Sequence, residues 1–238
     1  MVIVGAGLTG LWTAYYLRRA DPSLRIAVLE AEVAGFGASG RNGGWCSALF
    51  PTSWDLLVRE SSPKGALRLH RAMQDTVREV GRVTELEGID AHFEQGGMLT
   101  LARTPVQLQR LRAEMQTAHD RGFTEEDERL LGAEEARNLM AGASVLGGSF
   151  TPHCAAVHPA RLVRGLARVV EAAGVPIFEH TCVHRIRPGG AETDVGTVRA
   201  DVVLRATEGY TTRLAGLRRA VAPVYSLMVA TEPLDDDT

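Results

Sequence analysis

Three glycines and one carboxylate near the start of the chain have the types and spacing needed to hold a nucleotide. Gly5, Gly7 and Gly10 form a G-x-G-x-x-G turn directly after the β-branched run Val2-Ile3-Val4, and Glu30 stands twenty residues beyond Gly10. Gly5 permits the tight turn, Gly7 lets backbone approach a pyrophosphate, and Gly10 lets a helix lie close to the preceding strand. The N–H groups at that helix start, from Gly5 through Ala6, Gly7, Leu8, Thr9 and Gly10, attract phosphate charge. Glu30 accepts hydrogen bonds from both ribose hydroxyls and repels a 2′-phosphate, which favours FAD or NAD over NADP.

Those residues need a strand, a turn, a helix and a second strand to position them. Val2 to Val4 is long enough for a buried strand. Leu11 to Ala20 has helical periodicity and stops at Asp21-Pro22, and Arg25 to Leu29 supplies the second strand, ending on Glu30. Three residues are short for a central strand, which suggests a clipped N-terminus. The apolar stretch from Met1 to Leu17 lacks a preceding basic residue and the length of a membrane span.

Composition sets the wider bounds. The chain has 238 residues, 45% hydrophobic and 23% charged, which describes one large or two small globular domains. With 26 basic and 29 acidic residues the net charge is −3, so no electrostatic case for nucleic acid exists. Cys46, Cys154 and Cys182 are too few and too widely spaced for a disulfide framework or a zinc site, and a reduced cytoplasmic protein is expected.

The glycine-rich stretch Val33 to Trp45 separates the cofactor alternatives. It reads as a long loop held close to a ligand rather than a regular element, and NAD folds normally continue here into another compact βαβ unit. Ser39 and Arg41 can bind phosphate oxygens, and Gly43-Gly44 offers a side-chain-free surface to a flat ring. The alternative for Arg41 is a surface ion pair.

Gly5 to Gly10, Glu30 and Gly37-Ala38-Ser39-Gly40-Arg41-Asn42-Gly43-Gly44 together resemble the D-amino-acid oxidase-like FAD-dependent oxidoreductases, in the γ-glutamylputrescine oxidoreductase and glycine/sarcosine oxidase branch. The resemblance implies that Ala38, Ser39, Arg41, Asn42, Gly43 and Gly44 contact FAD. It also implies that the backbone of Val183 meets adenine and that Ala206-Thr207 forms a turn beside the cofactor. There Glu208 replaces the family's usual Asn. Phe93 to Leu99 is similar to the family's entry into its substrate domain, and His158 to Leu162 to its return. Family members run far beyond this length, so a C-terminal portion is expected to be missing.

Further along, Leu69, Met73, Val77, Val80 and Thr84 mark one face of a helix, and Thr104 caps another that begins at Pro105. Pro159 opens a third, closed by Gly174. Glu125 to Glu128 reads as a solvated acidic run. Phe93 to Ala102 reads as a strand pair or bent strand. Val175 to Ile186, Asp201 to Ala206 and Val224 to Thr231 read as strands. His180, Cys182 and His184 alternate within Val175 to Ile186, where a polar strand face is favoured over a metal site. Cys46 reads as a small buried residue. Trp45 divides between a functional role, covering the ring or lining the substrate entrance, and core packing.

The expected fold is α/β: a Rossmann-like FAD-binding domain from residues 1–88 and 152–222, with an inserted, incomplete α+β substrate domain from 89–151 and 223–238. The resemblance implies FAD-dependent oxidation of a C–N bond in a small amine or amino acid by hydride transfer to flavin. The alternatives are a truncated, non-catalytic FAD-binding fragment and an NAD(P)-linked reductase. No catalytic residue is assigned; Arg41 and Trp45 are the nearest candidates for shaping the site. A small-molecule substrate is expected, with no nucleic acid and no membrane span.

Overall fold

The computed structural model describes residues 1–229, 231 and 232. In chain order it runs β1 (Val2–Val4), α1 (Leu8–Ala20), β2 (Ala27–Leu29), α2 (Ala38–Arg41), β3 (Trp45–Ser47), α3 (Trp54–Glu60) and α4 (Pro63–Leu86). Next come β4 (Met98–Ala102), α5 (Pro105–Asp120), β5 (Arg129–Leu131), α6 (Ala133–Leu139), β6 (Gly147–Thr151) and β7 (Cys154–Ala156). The remainder is α7 (Pro159–Ala172), β8 (Ile177–Phe178), β9 (Val183–Arg187), β10 (Gly190–Thr193), β11 (Gly196–Arg199), β12 (Val203–Arg205) and a 3-10 helix at Glu208–Arg213. The chain forms two compact units. One holds Met1–Gly43, Ile89–Ala91 and everything from His158 onward; the other holds Gly44–Gly88 and His92–Val157.

The first unit is built on a parallel sheet in the order β12-β1-β2-β8. β1 is central despite its three residues, paired in register with β2 at Val2↔Ala27 and with β12 at Val2↔Val203. A parallel strand is covered on both faces, so an unbroken apolar run suits it better than an alternating one. Val2 and Val4 point to one side, where they share a core with Val183, Ala191 and Leu214 from the antiparallel β9-β10-β11 sheet and the stretch after it. Ile3 points to the other side, toward α1, whose Leu11 and Ala14 are fully buried.

Two glycines set how closely α1 can approach β1. Gly5 adopts φ +107°, and a Cβ there would lie 2.4 Å from the carbonyl oxygen of Ala206. A Cβ on Gly10 would lie 2.0 Å from the carbonyl oxygen of Gly5. Neither position has room for a side chain without moving backbone.

The second unit is α+β. Its antiparallel sheet has the order β4-β6-β5, and β3 pairs separately with β7. Leu131, Ala136 and Val145 form a small core with Leu99, Leu101 and Phe150. Thr104 and Gln107 form a reciprocal capping box at the start of α5, with Pro105 in its first turn. Ser62 caps α4 in one direction only, its hydroxyl accepting from Gly65 N–H at 3.0 Å.

Several expectations change on inspection of the structure. Residues 44–88 group with 92–157 rather than with the first unit, because β3 pairs with β7 and α4 packs Gly81 against Phe93. Residues 89–91 group the other way, with Ile89 seated against Gly165 of α7. The loop from Val33 contains one turn of helix, α2, whose carbonyls at Ala38 and Ser39 accept from the Asn42 amide. From Phe93 to Ala102, only Met98–Ala102 is a named strand, preceded by an isolated bridge from Glu94 to Ala156. The stretch Val175 to Ile186 is two strands, broken where His180 takes φ 51°. In Val224 to Thr231, residues 224–229 and 231 belong to no strand, and Val224, Tyr225, Leu227 and Val229 are 89–94% exposed. Among the described residues nothing pairs with that segment, and a lone strand has no ladder to hold it. Residue 230 lies outside the described residues, as do 233–238 of the expected substrate domain.

The acidic run also differs from its expected solvated state. Asp127 is 4% exposed, accepting from the Thr124 N–H at 2.8 Å, from Gln74 Nε2 at 3.0 Å and from Arg71. Burial works to raise its pKa, but the Thr124 N–H and the Arg71 and Gln74 side chains outweigh it and hold the carboxyl below the usual range.

Two predictions follow from these contacts. Gly10→Ala is expected to cost about 1–3 kcal/mol by overpacking, while Gly96→Ala, with nothing within 4 Å, stays near neutral. Urea unfolding of both variants checks this. A carboxyl held low in the fold adds stability above its unfolded pKa of about 3.9 and loses it as pH falls through the lower folded value. The urea midpoint is therefore expected to fall in that acid range, with a shallower fall in Asp127→Asn.

Candidate functional site

Three parallel strands deliver their C-terminal ends to one place in the first unit. β1 ends at Val4 and hands on to Gly5, β2 ends at Leu29 and hands on to Glu30, and β12 ends at Arg205 and hands on to Ala206. Between them lies a cavity of about 180 Å³ that includes Gly5, Gly7, Glu30, Ser39, Val183 and Thr207. Open α/β sheets place ligands in this position, beyond the carboxyl ends of the strands.

Glu30 is fixed before any ligand arrives. One carboxylate oxygen accepts from Ala6 N–H at 2.8 Å and the other from Glu32 N–H at 3.0 Å. Both oxygens retain further lone pairs for hydroxyl donors. Opposite it, Gly7 is the N-cap of α1 and offers no side-chain cap. The hydroxyl of Ser39 accepts from Leu8 N–H at 2.9 Å, tying α2 to the glycine turn. Thr207 and Thr211 share a hydroxyl contact at 2.8 Å that braces the turn after β12.

The structure brings together nine of the expected residues around this cavity: Gly5, Gly7, Thr9, Glu30, Ala38, Ser39, Val183, Ala206 and Thr207. Others support it from behind. Ala6 and Gly10 are buried, and Leu8 donates to Ser39. Arg41 does not line the cavity; its guanidinium sits over the Phe36 ring, 4.3 Å from the centroid, in place of the ion pair considered for it. Asn42 turns back to cap α2, and Gly43 lies beside Met228. Gly44 falls in the second unit, as does Trp45, which is 58% exposed and so is no core residue.

Sequence reasoning missed part of the lining. Cys182, Tyr210 and Arg213 line the cavity without having been expected there, alongside Glu208 of the expected turn, and Arg213 sits 4.8 Å over the Tyr210 ring. The alternation that drew attention to Cys182 was the wrong signal, since β9 begins only at Val183. Cys182 lies 4.0 Å from His184 Nδ1, and burial followed by the Asp194 carboxylate pushes its thiol pKa up, away from thiolate. Among the described residues no group of three His, Cys, Asp or Glu side chains could hold a metal. Cys46 is likewise pushed up by burial, then by Cys154.

The sequence profile of the family described as FAD dependent oxidoreductase (DAO) matches residues 1–238. The chain belongs to this family. FAD is thus the cofactor that the glycine turn, the helix start and Glu30 have to fit, and their donors and acceptors suit its nucleoside and pyrophosphate end. The DAO-family chain is 28% identical to the probable oxidoreductase OrdL of Haemophilus influenzae, covering 98% of this chain and 55% of that protein. It is also 28% identical to the gamma-glutamylputrescine oxidoreductase of Escherichia coli, covering 99% and 55%. Among solved structures, glycine oxidase from Geobacillus kaustophilus superposes with a TM-score of 0.71 at 26% identity, covering 91% of this chain and 57% of that one. The chain therefore spans about half the length of these relatives.

Glu208 adopts φ 42°, a left-handed conformation that Asn and Gly tolerate better. Glu208→Asn is expected to raise stability by about 0.5–1 kcal/mol, read from the urea midpoint.

Proposed function

We propose that this chain forms the FAD-binding part of an oxidoreductase acting on the C–N bond of a small amine or amino acid. The observation that carries the proposal is the meeting of the glycine turn, Glu30 and Ala206-Thr207 at three adjacent strand ends around one cavity. The names of the relatives, gamma-glutamylputrescine oxidoreductase and glycine oxidase, support the substrate class.

The N–H groups at the start of α1, apart from that of Leu8, which the Ser39 hydroxyl already accepts, receive the pyrophosphate charge. Glu30 accepts from ribose hydroxyls while its backbone contacts hold it still, so little ordering is left to occur on binding. Val183 presents backbone to the adenine. Arg213, braced on Tyr210, supplies positive charge to a cavity that otherwise collects Glu30, Glu32 and Glu208. The chemistry that bound flavin supplies is two-electron acceptance: a hydride leaves the carbon next to nitrogen, and the resulting imine hydrolyses in water. The first unit would serve as the FAD domain and the second as part of the substrate domain.

A second reading is a fragment that binds FAD without turnover. It is favoured by the coverage of about half of the relatives and by the exposed apolar stretch 224–229. No helix among the described residues is long and apolar enough to cross a membrane, and the three cysteines are free, as suits the cytoplasm.

The test is reconstitution of the purified chain with FAD, followed by anaerobic addition of amines and amino acids. A flavin spectrum near one equivalent that bleaches with one of these compounds supports catalysis. A stable spectrum that nothing bleaches supports the fragment reading, and a chain that stays colourless overturns FAD binding. Glu30→Gln, which keeps the shape but weakens the acceptor, is expected to reduce FAD affinity about tenfold.

A further inference from the structure

The cavity at the strand ends is short of positive charge for an anionic ligand. Its lining carries three carboxylates, Glu30, Glu32 and Glu208, and among the described lining residues Arg213 is the only cation. The glycine turn has also spent donors that a phosphate could have used. Ala6 N–H goes to Glu30 and Leu8 N–H to the Ser39 hydroxyl. Arg41, the arginine that the sequence offers to phosphate, lies over the Phe36 ring and outside the lining.

Arg213 is placed to supply what is missing. It ends the 3-10 helix Glu208–Arg213, just after the Ala206-Thr207 turn, with its guanidinium 4.8 Å from the centroid of the Tyr210 ring. Tyr210 rests in turn on Gly37, where a Cβ would lie 3.0 Å from a ring carbon. The stack of Gly37, Tyr210 and Arg213 joins the start of α2 to the 3-10 helix within the first unit. Arg213 makes no ion pair and no hydrogen bond among the described residues, although three carboxylates line the same cavity. A guanidinium laid over a ring keeps the N–H groups of its edge for a bidentate acceptor. Burial first and Asp194 next raise the pKa of the Cys182 thiol, Glu32 and Glu30 add to them, and Arg213 opposes them. The guanidinium and the two carboxylates therefore act on one point of the cavity wall.

We propose that Arg213 is the phosphate-binding cation of this site, in the part that Arg41 leaves open, with Tyr210 as the positioning residue that holds its plane. This rests on the reading of the cavity as the FAD site. The edge of Arg213 donates to pyrophosphate oxygens, and its charge offsets the repulsion that Glu30, Glu32 and Glu208 exert on an anionic ligand. Glu30 can then accept from ribose hydroxyls without expelling the phosphates beside them.

Calorimetric titration of the full chain with FAD, ADP and adenosine tests the assignment, since the three share a nucleoside and only two carry phosphate. Arg213→Gln is expected to weaken FAD and ADP about tenfold and to leave adenosine unchanged, which also shows that the site is folded. The loss of ADP affinity with added KCl is expected to be shallower in that variant. Arg213→Lys keeps the charge without the fork and recovers part of the loss. Tyr210→Leu is expected to weaken ADP about threefold with adenosine unchanged, and Tyr210→Phe to restore it. Equal ADP affinity in the wild type and Arg213→Gln overturns the assignment, as does a parallel loss of adenosine. A larger loss of ADP in Arg41→Gln overturns it in favour of Arg41. A wild-type chain that binds ADP but not FAD overturns the FAD reading, and the ADP comparison then decides the role of Arg213. A chain that binds none of the three overturns both.

Discussion

The first unit depends on how closely α1 approaches the end of β1. The Gly5 carbonyl fills the space where a Gly10 side chain would stand, and the Ala206 carbonyl fills the space beside Gly5 itself. One crowded point therefore fixes the helix, the central strand and the turn after β12 relative to one another. The cavity is a by-product of that crowding. Three strand ends converge, and the glycines leave backbone rather than side chains at the surface they share.

The strand order explains why the ligand position falls there. From β1 the chain goes through α1 to β2 on one side, while β12, reached much later, pairs on the other side. The connection from the carboxyl end of β1 therefore leads toward β2 and away from β12, and a crevice opens beyond that end. Glu30 reaches that crevice because it directly follows the carboxyl end of β2. Its two backbone contacts orient it, so the acceptor is preorganised even though the carboxylate stands at the edge of solvent.

Local sequence carried the parts of this arrangement that depend on neighbours in the chain. The glycine spacing, the β-branched run and the acid at the end of β2 can be read because each requirement is met within thirty residues. Ala206 and Thr207 were reached only through the family resemblance, since nothing local says that β12 pairs with β1. Arg41 and Asn42 show the limit in the other direction. Their chemistry suits phosphate and flavin, yet in the structure one stacks on Phe36 and the other caps α2. Arg213 and Tyr210 were missed because a 3-10 helix so far along the chain has no spacing signal that ties it to a glycine turn near the start.

The acidic run before β5 gives the same lesson with the sign reversed. Four consecutive acids read as a solvated stretch, and that holds for Glu125 and Glu126, which are exposed. Asp127 is buried because three groups from distant positions, Arg71, Gln74 and the Thr124 backbone, converge on it. Removing a carboxylate from water is costly, and only that many charge-assisted contacts offset it. Such a network binds α4 to the segment before β5 in one register, because any slip leaves a buried charge without donors. It also explains why the ring nitrogens of the neighbouring His153 have no hydrogen-bond partner among the described residues: the acceptor 3.6 Å away is already fully engaged.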